Sequence, residues 1–325
     1  MSLMTSRRNL MKISLGGVAL SALQASQVFA QPAAPAADAT EASPRWRRLT
    51  VGETKFTFIS DGISQYDLHP TFGKDQSAEA VSAVATASFL PTDIVKMNLN
   101  VPVVEIGKET VMFDTGIGEF GYDYGLGLLV TELERTGYSP SDITVVAITH
   151  MHIDHIGGLM RNGERVFPNA RYLMGKVEYD YWTSEAAKTG PRPETVEFVA
   201  KYVTPLLDRI TFVEGGQEVM SGVRAVDTFG HSPGHLSYEI DTSIGPVAIT
   251  GDILLHHVFT FEEPEWATDF DGDAVQAAET RLRVLADLAD RRMPFLAYHV
   301  PLPGLGFVER DGDAYRYVPA SYQFG

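Results

Sequence analysis

The segment Thr149-His150-Met151-His152-Ile153-Asp154-His155-Ile156-Gly157-Gly158 gathers three of the chain's nine histidines and an aspartate within a few positions. Imidazole is costly to bury without partners, so a packed core has no use for such a cluster. His150 and His152 are two apart, and on an extended segment both can face one point. Asp154 and His155 follow, where a turn can aim them at a second point nearby. His and carboxylate side chains are ligands for divalent cations, which take about four to six donors each. One loop feeding two cations needs help from elsewhere.

Three further donors follow in the chain. His231 lies in Thr228-Phe229-Gly230-His231-Ser232-Pro233-Gly234-His235, Asp252 in Thr250-Gly251-Asp252, and His299 in Tyr298-His299-Val300-Pro301. Each follows an apolar, strand-like run and precedes a turn. Strand ends of a layered fold converge on one rim, so these residues can meet there. The chain has no cysteine, which excludes disulfides, thiolate nucleophiles and Cys-ligated zinc. His235 reads as a hydrogen-bonding neighbour of the site rather than a ligand. His256 and His257 lie in an apolar run and read as packing or pocket lining. Asp114-Thr115-Gly116 is either a plain turn or a device that orients a ligating histidine.

The elements that must position these donors are short. Lys55 to Ile59 alternates like a half-buried strand, and Val101–Ile106 and Thr110–Phe113 flank a Gly107-Lys108-Glu109 turn. Thr144–Ile148 is a continuous apolar run, the signature of a buried strand, and the histidine loop follows it directly. Further strands are expected at Ala170–Met174, Ile210–Val213, Val223–Asp227, Leu236–Asp241, Pro246–Thr250 and Phe295–His299, with a hairpin over Phe307–Val318. Helices are expected over Leu126–Arg135, Lys176–Trp182, Glu194–Leu207 and Ala274–Asp290, the last with Val275, Leu282, Leu285 and Leu288 on related faces. Grouped strands followed by helices, twice over, imply two packed β-sheets with helices outside.

Composition bounds the rest. The 325 residues are 44% hydrophobic and 21% charged, as in a soluble globular chain long enough for one large core. A net charge of -16 disfavours a nucleic-acid partner. The N-terminus is expected to lie outside the fold. Arg7-Arg8 and Lys12, a short apolar run from Ile13 to Leu23, and Val28-Phe29-Ala30 make an export signal over residues 1–30, similar to a twin-arginine signal. Its apolar run is too short for a membrane anchor, which needs about 20 residues. Residues 31–45 form an Ala/Pro-rich linker, and residues 46–325 the folded domain of an exported, periplasmic or secreted protein.

The pattern T-H-x-H-x-D-H-x-G-G, a later G-H, then G-D and a strand-end His resembles the metallo-β-lactamase superfamily over Phe56 to Val300. The resemblance implies an α/β fold, a four-layer αβ/βα sandwich with a dinuclear metal site at one edge of the sheets. It implies that His150, His152 and His231 hold one divalent ion and Asp154, His155 and His299 the other, with Asp252 bridging; zinc is the expected metal. Within the superfamily, the lack of cysteine excludes one zinc β-lactamase type and Asp252 counts against the others. The segments Asp227–His235, Gly251–Leu254 and His299–Gly304 are most similar to exported methyl parathion hydrolases and their lactonase relatives, and Phe261-Glu262-Glu263-Pro264 also fits that group. Phe229 departs from them, standing where relatives often have Pro.

The resemblance further implies a substrate pocket with Trp182 and Phe120 on its wall; Phe259 and Phe261, downstream of Asp252, are expected to join them. The expected chemistry is hydrolysis of a lactone or ester by a hydroxide shared between the ions, with Asp154 and Asp252 catalytic and Asp154 able to pass a proton to the leaving group. The alternatives are a phosphotriester hydrolase and, on the same frame, an iron redox enzyme. The partner is a small-molecule substrate, with no nucleic acid and no stable membrane anchor after processing. The Met97–Leu99 region and the segment before the first strand are where two copies could pair as a homodimer.

Overall fold

The computed structural model describes residues 44–320, 323 and 324. The export signal expected over residues 1–30 and the expected linker, up to residue 43, lie outside the described residues. No helix among the described residues is long and apolar enough to cross a membrane.

The strands, in chain order, are β1 (Trp46–Val51), β2 (Thr54–Asp67), β3 (Ile94–Ile106), β4 (Glu109–Phe113), β5 (Val145–Ala147), β6 (Met160–Arg161), β7 (Glu164–Arg165), β8 (Arg171–Gly175), β9 (Ile210–Val213), β10 (Glu218–Met220), β11 (Val223–Asp227), β12 (Leu236–Ile240), β13 (Val247–Ile249), β14 (Phe295–Leu296), β15 (Leu305–Asp311) and β16 (Ala314–Pro319). One seven-stranded sheet runs β1-β2-β3-β4-β5-β8-β9 and a second runs β10-β11-β12-β13-β14-β15-β16. β4, β5, β8 and β9 pair in parallel, as do β13 and β14, while the hairpin-connected strands pair antiparallel.

Apolar side chains from both sheets form one shared core. Phe56, Phe58, Val111, Phe113, Val145 and Leu173 meet Val223, Leu236, Tyr238, Val247 and Ile249. The rings of Phe113 and Tyr238 lie 5.4 Å apart across this interface. A second apolar cluster seals the outer face of the second sheet, where Leu285 and Leu288 of the helix Ala274–Arg291 pack on Phe295, Ala248 and Val308. Asp273 caps that helix by accepting from Gln276 N, and Arg292 closes it in the left-handed conformation. The helix Leu129–Arg135 packs against β2. This is the layered sandwich the grouping of strands implies.

Several elements differ from expectation for physical reasons. β2 is buried on both faces, Thr57 included, because the helix Leu129–Arg135 and Arg48, which bonds Thr57 Oγ1, cover its outer side. The helix expected over Glu194–Leu207 is α-helical only at Glu194–Phe198; a wide π turn and a 3-10 segment over Thr204–Arg209 follow. Pro205 explains the break, since it has no N–H and its ring collides with the carbonyl four residues back. Val275 is 72% exposed in the first turn of its helix, away from the core that Leu285 and Leu288 enter. Met97 and Leu99 face inward from β3 and are buried within the chain, so they offer no surface for pairing subunits.

What matters for chemistry is where the strands end. Asp114 follows β4, the histidine loop follows β5, His231 follows β11, Asp252 follows β13 and His299 follows β14. The two sheets are tied at this rim: Leu236 N donates to Thr149 O at 2.8 Å and Tyr238 Oη donates to Ile148 O at 2.8 Å.

Candidate metal centre

The glycines of the histidine loop have a steric task. A Cβ on Gly158 would stand 1.9 Å from Thr115 O, and one on Gly157 would stand 2.1 Å from Ile117 O. The loop is pressed onto the segment after β4, where Thr115 N donates to His155 O at 2.8 Å and Gly158 N donates to Gly116 O at 3.1 Å. Gly158→Ala is expected to destabilise the fold by about 1–3 kcal/mol through overpacking. Denaturant unfolding measures it, and a change within about 0.5 kcal/mol would mean that the loop yields.

The structure brings the seven expected donors to one place, in two groups. His150, His152 and His231 offer ligand atoms within 4.8 Å of one another, and so do Asp154, His155, Asp252 and His299. Asp252 touches both groups. Its Oδ2 lies 3.0 Å from His299 Nε2, 3.3 Å from His155 Nε2, 3.4 Å from His231 Nε2 and 3.8 Å from His150 Nε2. Asp154 Oδ2 lies 3.4 Å from His299 Nε2 and 3.6 Å from His155 Nε2.

The other ring nitrogen of four histidines is occupied from behind. His155 Nδ1 bonds Asp114 Oδ2 at 2.9 Å, His231 Nδ1 bonds Asp271 Oδ1 at 3.2 Å, His299 Nδ1 bonds Asn98 O at 2.8 Å and His150 Nδ1 bonds Thr149 Oγ1 at 3.1 Å. Each partner can take an Nδ1 proton, which leaves the Nε2 lone pair aimed inward. His152 instead turns Nδ1 inward, 3.1 Å from His231 Nε2. His150 Nε2, His155 Nε2 and Asp252 Oδ1 are buried with no hydrogen-bond partner. Orphaned polar atoms are rare in a folded interior, and here they converge on two adjacent points. The donor set therefore fits two divalent ions that share Asp252.

Electrostatics agree. Burial pushes His150 and His152 well below the ordinary imidazole range. Burial acts the same way on His155 and His299, but Asp252 and Asp154 outweigh it and raise both. Burial opposes ionisation of Asp252, yet His299 and His155 hold it well below the usual carboxylate range. The site thus demands positive charge, which protons or cations can supply.

The surrounding residues divide clearly. Asp114, in the left-handed conformation, accepts from Thr149 N and Thr149 Oγ1, both at 2.8 Å, besides His155, so it orients the loop rather than merely turning the chain. His235 Nε2 accepts Asp252 N at 3.0 Å and its Nδ1 faces Thr228 Oγ1 at 2.8 Å. Both its nitrogens are spent on protein atoms, and burial pushes its pKa down to about 3. Trp182 lines a cavity of about 220 Å³ with His152, His231, Tyr181 and Arg192. Phe259 and Phe261 do not join it. Phe259 stacks on Phe72 and Phe261 packs on Phe295, both in the core, because the short helix Phe259–Glu262 turns them inward. His256 packs between Phe72 and Phe259. Phe120 is partly exposed and sits edge-on to Phe198, outside that cavity.

Four residues near the site carry no sequence signal. Glu178, Asp271 and Arg281 each sit among other charged residues, as on a solvated surface, but the side chains of all three are buried. Tyr298 places its ring 4.1 Å from that of His155, and its hydroxyl donates to Asp154 O at 2.6 Å.

The family model of the metallo-beta-lactamase superfamily matches residues 98–295. An N-acyl homoserine lactonase of Bacillus sp is 31% identical over 171 residues, 52% of this chain and 60% of that protein. The chain thus spans less than two thirds of the length of the curated relatives it matches. The crystal structure of hydrolase AbOPH in the beta lactamase superfamily superposes with a TM-score of 0.79 at 27% identity, covering 86% of this chain and 98% of that one. The dizinc quorum-quenching lactonase AidC, in complex with a product N-hexanoyl-L-homoserine, has the same fold, with a TM-score of 0.77 at 24% identity over 84% of this chain and 97% of that one. The match covers most of the folded residues and every donor but His299, and this chain belongs to the metallo-beta-lactamase superfamily.

Proposed function

We propose that this chain is a dinuclear metal hydrolase that opens lactones, with N-acyl homoserine lactones the first substrates to assay. The observation that carries the reading is the Asp252 carboxylate standing between two ligand groups, beside a cavity walled by Trp182. Relatives named as lactonases, one of them dizinc, support the choice of substrate and of zinc. His150, His152 and His231 would hold one ion, Asp154, His155 and His299 the other, and Asp252 would span them. When bound, such a pair supplies an activated water near neutral pH and a Lewis acid for the carbonyl oxygen. The protein's part is positional. Asp114, Asp271, Asn98 and His235 fix the donors from behind, so little reorganisation accompanies reaction. The Asp154 side chain is 20% exposed against 4% for Asp252, so Asp154 can exchange a proton with solvent and pass it to the departing alkoxide. The Trp182 and Tyr181 rings give the cavity an apolar wall suited to an acyl chain. The N-terminal pattern, similar to a twin-arginine signal, supports export of the chain already folded, after it has acquired metal.

Dialysis against a chelator is expected to abolish lactone hydrolysis, and zinc to restore it. Assayed side by side on lactones, aryl esters and a dimethyl aryl phosphotriester, the enzyme is expected to give its highest kcat/KM on a lactone. A phosphotriester rate above every lactone would reverse the order of substrates. Iron with substrate-dependent oxygen uptake would end the hydrolytic reading altogether.

A further inference from the structure

Glu178 lies in the first turn of the helix Lys176–Trp182 and is buried. Its carboxylate accepts four hydrogen bonds from neutral donors. Oε1 takes Met151 N at 3.0 Å and Trp182 Nε1 at 2.7 Å; Oε2 takes Ser232 Oγ at 2.7 Å and Gly234 N at 2.7 Å. Every lone-pair position is used. The donors are not random. Met151 separates His150 from His152, Ser232 follows His231, and Trp182 walls the cavity. Gly234 completes the fit, since a Cβ there would stand 2.2 Å from Glu178 N. One oxygen grips the first histidine loop and the other grips the second. The second ligand group has other supports: Asp114 behind His155, Asn98 behind His299 and His235 behind Asp252.

We propose that Glu178 is a positioning residue that fixes His150, His152, His231 and Trp182 as one unit, so that the affinity of that one metal position and the shape of the adjoining cavity depend on the same carboxylate. The inference rests on the dinuclear reading above. Glu178→Gln keeps the shape but offers one acceptor oxygen and an NH2. With the oxygen kept toward Met151 N and Trp182 Nε1, the NH2 meets the Gly234 N–H head-on, and Ser232 Oγ must turn round to accept, so at least one of the four bonds is lost. Removing a partner behind metal ligands typically weakens metal binding by about 10–100-fold.

The test is zinc titration of metal-free protein against a chromophoric competitor, with bound zinc counted by elemental analysis. Wild type is expected to take up a pair of ions. Glu178→Gln is expected to bind one of the pair about 10–100-fold more weakly and the other unchanged, with a raised KM for lactone. Trp182→Phe, which removes the one donor to Glu178 that is not next to a ligating histidine in the chain, is expected to raise KM and to change zinc affinity far less than Glu178→Gln does. Should Glu178→Gln not fold, Ser232→Ala, which removes one donor to Oε2, is expected to weaken the same single ion by a smaller factor. Wild-type affinity for both ions in Glu178→Gln, or in Ser232→Ala where that variant decides, overturns the proposal. So does equal weakening of both ions, which marks a merely structural role. A wild type that takes up no pair of ions sinks the dinuclear reading itself, a result distinct from either.

Discussion

Asp252→Asn is expected to lower kcat/KM for lactone hydrolysis by at least about 10³-fold, or about 4 kcal/mol of transition-state stabilisation. No other side chain stands so centrally. Its Oδ2 is within 3.8 Å of the inward nitrogens of four histidines, two from each ligand group. Asn preserves volume and the backbone bond from residue 252 to His235 Nε2, so the fold should survive. It offers a single weak oxygen donor and no charge. The shared position is then lost, and with it the close spacing of two cations on which a dinuclear site depends. Elemental analysis should find one ion retained with reduced affinity for the second. An Asn variant that keeps more than a tenth of wild-type kcat/KM and the full metal complement would remove Asp252 from the mechanism.

The ligand loop was legible because its chemistry has no structural excuse: three histidines and an aspartate directly after a buried strand must face something polar. The distant donors were legible by position, each at the end of an apolar run, and parallel pairing of β4 with β5 and of β13 with β14 sets those ends on one rim. The supporting layer was not legible. Glu178 in a short helix, or Arg281 in a long amphipathic one, has the local pattern of a solvated face; only the tertiary packing buries it. Proximity in sequence misled at Phe259 and Phe261. They follow Asp252 closely, but the short helix that carries them turns both rings into core clusters. Helical spacing likewise overcounted Val275, which lies in the first turn, before the helix meets the sheet. Local pattern reports which residues could be buried; it does not report which neighbour covers them.

Arg281→Ala is expected to destabilise the fold by about 3–5 kcal/mol, the usual cost of removing one member of a buried ion pair. Arg281 is fully buried and four of its five N–H donors are used. Nε bonds Ile253 O at 3.1 Å, Nη1 bonds Pro264 O at 2.8 Å and Trp266 O at 3.2 Å, and Nη2 bonds Asp271 Oδ2 at 3.0 Å. Three carbonyls and a carboxylate lose their partner together, and water has little access to replace it. Lys cannot substitute, because a point ammonium does not span four acceptors held by a planar fork. Urea unfolding of the metal-free protein measures the loss without any contribution from ion binding, and a change under about 1 kcal/mol would refute it. The double variant Arg281→Met with Asp271→Leu separates stability from chemistry. Replacing both charges by apolar groups is expected to recover much of the stability. It leaves His231 Nδ1 without its carboxylate acceptor, so zinc affinity at the position His231 shares with His150 and His152 should stay depressed. Recovery of both together would mean that Asp271 serves the fold alone.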